Sequence, residues 1–177
     1  MGILKLIRHT NAELFYLHNA IRYVTGGHTD PDYIGSPNVF IPDAYSQMLK
    51  VKQYFGKTSG NPLFHFVVVY HARTAFDPQR AMRLTAQIAS YFSSSYQIIW
   101  CVHEKHMSKK YGRTSSMYHA HLIMNSVSYI DGRMFQNTKT DIYGFLEHIK
   151  FVTRDNSWEL DYNCWNGSVN DAYEACE

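Results

Sequence analysis

The chain has 177 residues, 45% of them apolar, which suits a single domain with a full core. No apolar run reaches the roughly 18 residues of a membrane span, and the first ten residues lack the apolar stretch and cleavage site of a secretory leader, so neither is expected. The net charge of +2 conceals an asymmetry: residues 1–150 hold sixteen Lys/Arg against nine Asp/Glu, and residues 151–177 one Arg against six acids, a basic body with an acidic end that suits a nucleic-acid binder without requiring one.

In chain order, Gly2–Arg8 reads as a short strand and Thr10-Asn11-Ala12-Glu13 as a capping box. A helix follows with Leu14, Leu17, Ile21 and Val24 on one stripe, stopped by Gly26-Gly27. At 100° per residue Tyr16 and Tyr23 fall nearly opposite Leu14, so Tyr23 is expected to point away from the core. Residues 25–41 form a Gly-, Pro- and Asp-rich loop. Asp43–Phe55 is a polar helix with Ala44, Met48, Val51 and Phe55 inward, and 56–62 is a turn. Leu63–Tyr70 is apolar on both alternating faces apart from His65, which predicts a central strand.

Asp77-Pro78 supplies an N-cap and a first-turn proline for a helix carrying Ala81, Leu84, Ile88 and Tyr91. Gln97–His103 and Met117–Ser128 are the next strands, separated by the basic loop Lys105–Arg113. Asp131-Gly132 is a turn, and Thr140–Phe151 a helix with Ile142, Phe145, Leu146 and Ile149 inward. The loop between the last two strands is too short for a helical crossover, so they are expected to pair antiparallel. The predicted class is α+β, an antiparallel-rich sheet with helices packed mainly on one face. The three cysteines, Cys101, Cys164 and Cys176, are odd in number and lack C-x-x-C spacing. They read as reduced thiols in a cytoplasmic protein, with Cys101 in the core.

The chemistry concentrates in Tyr118-His119-Ala120-His121-Leu122-Ile123-Met124-Asn125. Residues two apart on a strand share a face, so His119 and His121 project together with Cα atoms roughly 6–7 Å apart. An antiparallel neighbour ending in Val102-His103 brings a third imidazole to the same place. Three imidazoles without a nearby cysteine point to a catalytic divalent-metal site rather than a structural zinc cage.

The order of motifs is itself informative. A tyrosine closes the first helix in Ala20-Ile21-Arg22-Tyr23-Val24-Thr25. Then come the buried strand Phe64-His65-Phe66-Val67-Val68-Val69-Tyr70, Asp77-Pro78 with its long helix, Trp100-Cys101-Val102-His103, and the paired-histidine strand. Over about residues 15–150 this resembles the mobilisation-type conjugative relaxases of the HUH endonuclease superfamily. The resemblance implies that His103, His119 and His121 hold Mg²⁺ or Mn²⁺ and that Tyr23 is the nucleophile. It also implies that the protein nicks one DNA strand at a transfer origin, keeping the 5′-phosphate on the tyrosine. Accessory mobilisation proteins are the implied partners besides single-stranded DNA, and no membrane is involved. The relaxase-like domain is expected over 1–152, with 153–177 an acidic C-terminal tail. Such relaxases usually carry an Asp two residues after the upstream histidine, where this chain has Lys105; Glu104, by alternation, belongs to the opposite sheet face. They are also often longer, so the chain reads as a minimal protein or a fragment.

The residues leave alternatives open. Imidazoles suit Zn²⁺ as well. Tyr16 is the nearest rival to Tyr23, with His18 and His28 as histidine alternatives, and His65 and His71 read as packing or substrate contacts. A rolling-circle initiator or transposase of the same superfamily would use a tyrosine after the histidine pair, here Tyr143. A non-cleaving DNA-binding module and a hydrolase unrelated to DNA are the other classes. Arg22, Lys105, Lys109, Lys110 and Arg113 are the expected phosphate contacts, with Tyr111 available for base stacking.

Overall fold

A computed structural model describes residues 1–7, 14–26, 30–106 and 116–161. In chain order these form β1 (Gly2–Ile7), α1 (Leu14–Thr25), β2 (Ile34–Gly35), α2 (Ala44–Tyr54), β3 (Leu63–Val69), α3 (Pro78–Ser93), β4 (Tyr96–His106), β5 (Ser116–Ser128), α4 (Lys139–Thr153) and β6 (Trp158–Asp161). The six strands make one sheet in the order β2-β4-β5-β3-β1-β6. Every neighbouring pair is antiparallel except β1 with β6. The expected β4–β5 pairing is present, and β3 lies inside the sheet between β5 and β1.

Strand alternation divides the interior into two cores. On one face Leu4, Leu6, Phe66, Val68, Trp100, Val102, Ala120, Leu122 and Met124 pack against α3 and α4. On the other, Leu63, Ile99, Cys101 and Ile123 pack against Leu17, Ala20, Ile21 and Val24 of α1 and Ala44 and Met48 of α2. The class is the α+β, antiparallel-rich one expected, but the helices divide two and two rather than lying mainly on one face. The reason is the apolar run of β3 and its neighbours, which leaves both faces in need of cover.

Local signals account for the long helices. Asp77 Oδ1 accepts from the Arg80 backbone N–H at 2.8 Å ahead of Pro78. Thr138 and Asp141 form a reciprocal capping box that starts α4 at Lys139, one residue before the predicted start. Along α3 the buried stripe runs through Phe92 by an i+4 step from Ile88, and Tyr91 stays exposed. Gly132 has φ +70°, as the Asp131-Gly132 turn requires.

Two regions depart from expectation. In α2 Ala44 and Met48 are buried as expected, but the next buried residue is Lys52, while Val51 and Phe55 are half-buried. Its ammonium donates to Ser126 Oγ at 2.6 Å, and burial lowers its pKa to about 8. The segment expected to begin an acidic tail contributes β6 to the sheet: Trp158 is buried and its indole N–H donates to Thr153 Oγ1 at 2.9 Å. Among the described residues no helix is long and apolar enough to cross a membrane.

Candidate metal centre and active site

The site lies on the α1/α2 face of the sheet. His103 of β4 stands directly opposite His119 of β5, and His121, one pleat further along, stands between Cys101 of β4 and Val67 of β3. The ring centroids of His103, His119 and His121 are 5.1–5.4 Å apart in each pairing. Their ligand nitrogens all lie within 4.8 Å of one another. The register therefore brings together the three imidazoles that the sequence singled out.

Burial sets the charge of His121. His119 and His121 are buried and His103 is half-buried. Desolvation holds the His121 pKa well below the ordinary imidazole value, and His65, His119 and His103 add to the shift because clustered imidazoles resist a shared positive charge. Neutral imidazole is the form that binds a metal. His121 Nε2 is buried and makes no hydrogen bond to the protein. Three imidazole nitrogens facing one point, that of His121 neutral and without a hydrogen bond, fit a divalent cation.

Tyr23 comes from the last turn of α1. Its ring meets His121 edge-on at 5.1 Å and His103 at 5.7 Å. The expectation that Tyr23 points away from the core is corrected: it is half-buried, packs against the α1/α2 core, and its hydroxyl oxygen is buried. The cause is Ala20, which belongs to the buried stripe of α1 and shifts that stripe toward the side carrying Tyr23, while Leu14 is half-buried. His18, on the same helix, packs edge-on against Tyr45 at 5.1 Å.

The other candidates are scattered. Arg22 is exposed beside Tyr23. Lys105 lies within β4, paired with Met117, because the strand runs past the predicted loop boundary to His106. Lys109, Lys110, Tyr111, Arg113 and His28 lie outside the described residues. Glu104 is exposed opposite Tyr118 on the face away from the histidines, as alternation requires. Asn125 ties α2 to β4, donating to Met48 O and Gln97 Oε1 at 3.0 Å each. Tyr143 is half-exposed on α4, across the sheet from the histidines.

Two site residues were undervalued in the sequence. Cys101 is buried as expected, yet its Sγ lies 3.5 Å from His103 Nε2. His65, read as packing or a substrate contact, places Nε2 2.8 Å from His121 Nδ1. The available signal was a lone imidazole in an apolar strand; what made it interpretable is the β3–β5 register, which puts Val67 opposite His121 and His65 one diagonal step away.

A family model described as "Relaxase: MobA/VirD2-like, nuclease domain" matches residues 16–158. The chain belongs to this relaxase family. The matched segment contains Tyr23, His65 and all three clustered histidines, and it reaches Trp158 at the start of β6. No curated protein and no solved structure matches the chain. As a relaxase nuclease domain, the protein is a DNA-nicking endonuclease of conjugation that works on single-stranded DNA, in a family that generally uses a divalent metal.

Proposed function

We propose that this relaxase is a site- and strand-specific transesterase that opens single-stranded DNA at a transfer origin of a plasmid or mobile element and keeps the broken 5′ end as a phosphotyrosine on Tyr23. The observation that carries this reading is the edge-on contact of the Tyr23 ring with two of the three clustered histidines. His103, His119 and His121 would hold Mg²⁺ or Mn²⁺, with Zn²⁺ the other cation that imidazoles accept. A divalent cation there neutralises charge that builds on the scissile phosphate.

The chain's own residues do the rest. Tyr23 Oη forms a bond to phosphorus as the P–O3′ bond breaks, and the proton lost by the phenol is balanced by the one taken up at the released 3′-hydroxyl. An ordinary phenol titrates near 10 and is a poor nucleophile. Holding it beside the metal ligands on a packed helix end lowers the entropic part of the barrier. Because the broken end stays covalently attached, reversal can reseal the strand. Arg22 is placed to meet phosphate next to Tyr23, and Lys105, Lys109, Lys110 and Arg113 are the further phosphate contacts. Accessory mobilisation proteins would assemble around this nuclease unit in the cytoplasm.

The rolling-circle or transposase alternative needs Tyr143, which α4 carries on the opposite side of the sheet, so the geometry favours Tyr23. The test is a denaturing gel of the protein with labelled single-stranded DNA of varied sequence, in Mn²⁺ and in chelator. A metal-dependent covalent band is expected for wild type and for Tyr143→Phe, and none for Tyr23→Phe, a loss of at least about 10³-fold. A band that survives Tyr23→Phe moves the nucleophile elsewhere, and DNA binding without any band marks a non-cleaving module.

A further inference from the structure

β3 is apolar except for one residue. His65 is fully buried inside it, and its Nε2 lies 2.8 Å from Nδ1 of His121. At that distance one nitrogen carries the proton and the other accepts it, since two lone pairs or two N–H groups face to face repel. A neutral imidazole has one N–H and one lone pair. If His65 were the donor, the proton of His121 would sit on Nε2 and close the one nitrogen left for a metal. If His121 is the donor, Nε2 presents its lone pair, and that atom is buried with no hydrogen bond competing for it.

We propose that His65 is a positioning residue of the metal centre: by accepting a hydrogen bond from Nδ1–H of His121, it fixes the tautomer that turns the His121 Nε2 lone pair toward His103 and His119. This rests on the reading that the three histidines hold a divalent cation. His65 stands behind the cluster rather than in it, since the grouped ligand nitrogens come from His103, His119 and His121. It supplies the orienting contact that metal-bound imidazoles ordinarily take from a carboxylate, a carbonyl or water. The sequence shows why such a partner is needed: Lys105 occupies the place where an acid was expected, and Glu104 lies on the other face. The substitution has an electrostatic consequence. A neutral imidazole adds no negative charge, so the cation keeps its full charge for the phosphate. Three imidazole nitrogens backed by a fourth also bind Zn²⁺, and Mn²⁺ less strongly, more readily than Mg²⁺, which holds on to hard oxygen ligands.

The test is Mn²⁺ titration calorimetry on the full chain, comparing wild type, His65→Gln, His65→Met and His119→Ala. Gln and Met are matched in length, and only Gln offers an oxygen to accept from Nδ1–H. His65→Met is expected to weaken Mn²⁺ binding about 10–100-fold and His65→Gln by less than about threefold. Long-range ¹H–¹⁵N spectra of the metal-free wild type and His65→Gln are expected to show His121 protonated at Nδ1 and bare at Nε2. Met and wild-type affinities that agree, or a wild-type His121 protonated at Nε2, overturn the inference while the metal reading stands. Wild type and His119→Ala binding Mn²⁺ alike overturns the metal reading and the inference together. Should His65→Met fail to fold, a Gln variant weakened more than about tenfold overturns the inference.

Discussion

The two faces of β5 are built from different chemistry on one backbone. Tyr118, Ala120, Leu122 and Met124 point into the aromatic-rich core under α3 and α4. His119 and His121, two alternate positions along, point to the α1 side with His103 and Tyr23. The first face satisfies its surface mainly with carbon, through contacts such as Phe66 with Phe92 and Phe145, and buried polar atoms of that core such as the Tyr70 hydroxyl and the Trp158 indole N–H have hydrogen-bond partners. The second leaves nitrogen atoms buried and directed at one another. A sheet strand can therefore be held rigid by one face while the other keeps donors that no packing argument requires.

Neighbouring substitutions on β5 should break this comparison first. His119→Ala is expected to lower metal-dependent adduct formation by more than about 100-fold. Chemical denaturation of the metal-free protein should change little. Leu122→Ala, on the opposite face, is expected to cost about 2–5 kcal/mol of stability, with nicking per folded molecule nearly unchanged. Loss of activity in Leu122→Ala at full folding would mean that the faces are not separable.

A smaller effect tests the end of β5, where α2 inserts Lys52. The folded lysine titrates near 8 against an ordinary 10.5, so between these values the unfolded chain binds more protons and stability rises with pH. The gain is on the order of 2 kcal/mol between pH 8 and 10, and it should disappear in Lys52→Met. Above about pH 10 Tyr70 opposes it, because burial raises that phenol above the unfolded value and its ionisation favours unfolding. Denaturant midpoints across this range decide the point. The smallest change is expected for Thr138→Ala, which removes the cap of α4: about 1 kcal/mol of stability and no change in adduct yield.

What could be read in advance follows from local rules. The pairing of β4 with β5 rests on a short connection, the register of His119 with His121 on strand period, and the start of α3 on Asp77-Pro78. Each is a short-range signal. Tyr23 was placed in the right turn but turned the wrong way, because Ala20 looks neutral in a hydrophobic stripe until its packing is known. His65 needed knowledge that β3 neighbours β5, which is a property of strand order and not of the run itself. Lys52 in place of Val51 depended on a partner, Ser126, 74 residues away. The split of helices across both faces and the parallel β6 likewise follow from long-range arrangement.

The side of the sheet on which the two tryptophans among the described residues lie has a practical use. Trp100 and Trp158 are both buried in the core shared with α3 and α4, across the sheet from the histidines. Their emission reports the integrity of that core, and the strands separate them from the place where a cation and DNA would arrive. In a Trp165→Phe variant, excitation of these two indoles thus provides an internal optical reference, against which events on the histidine face can be followed without a label on the working side.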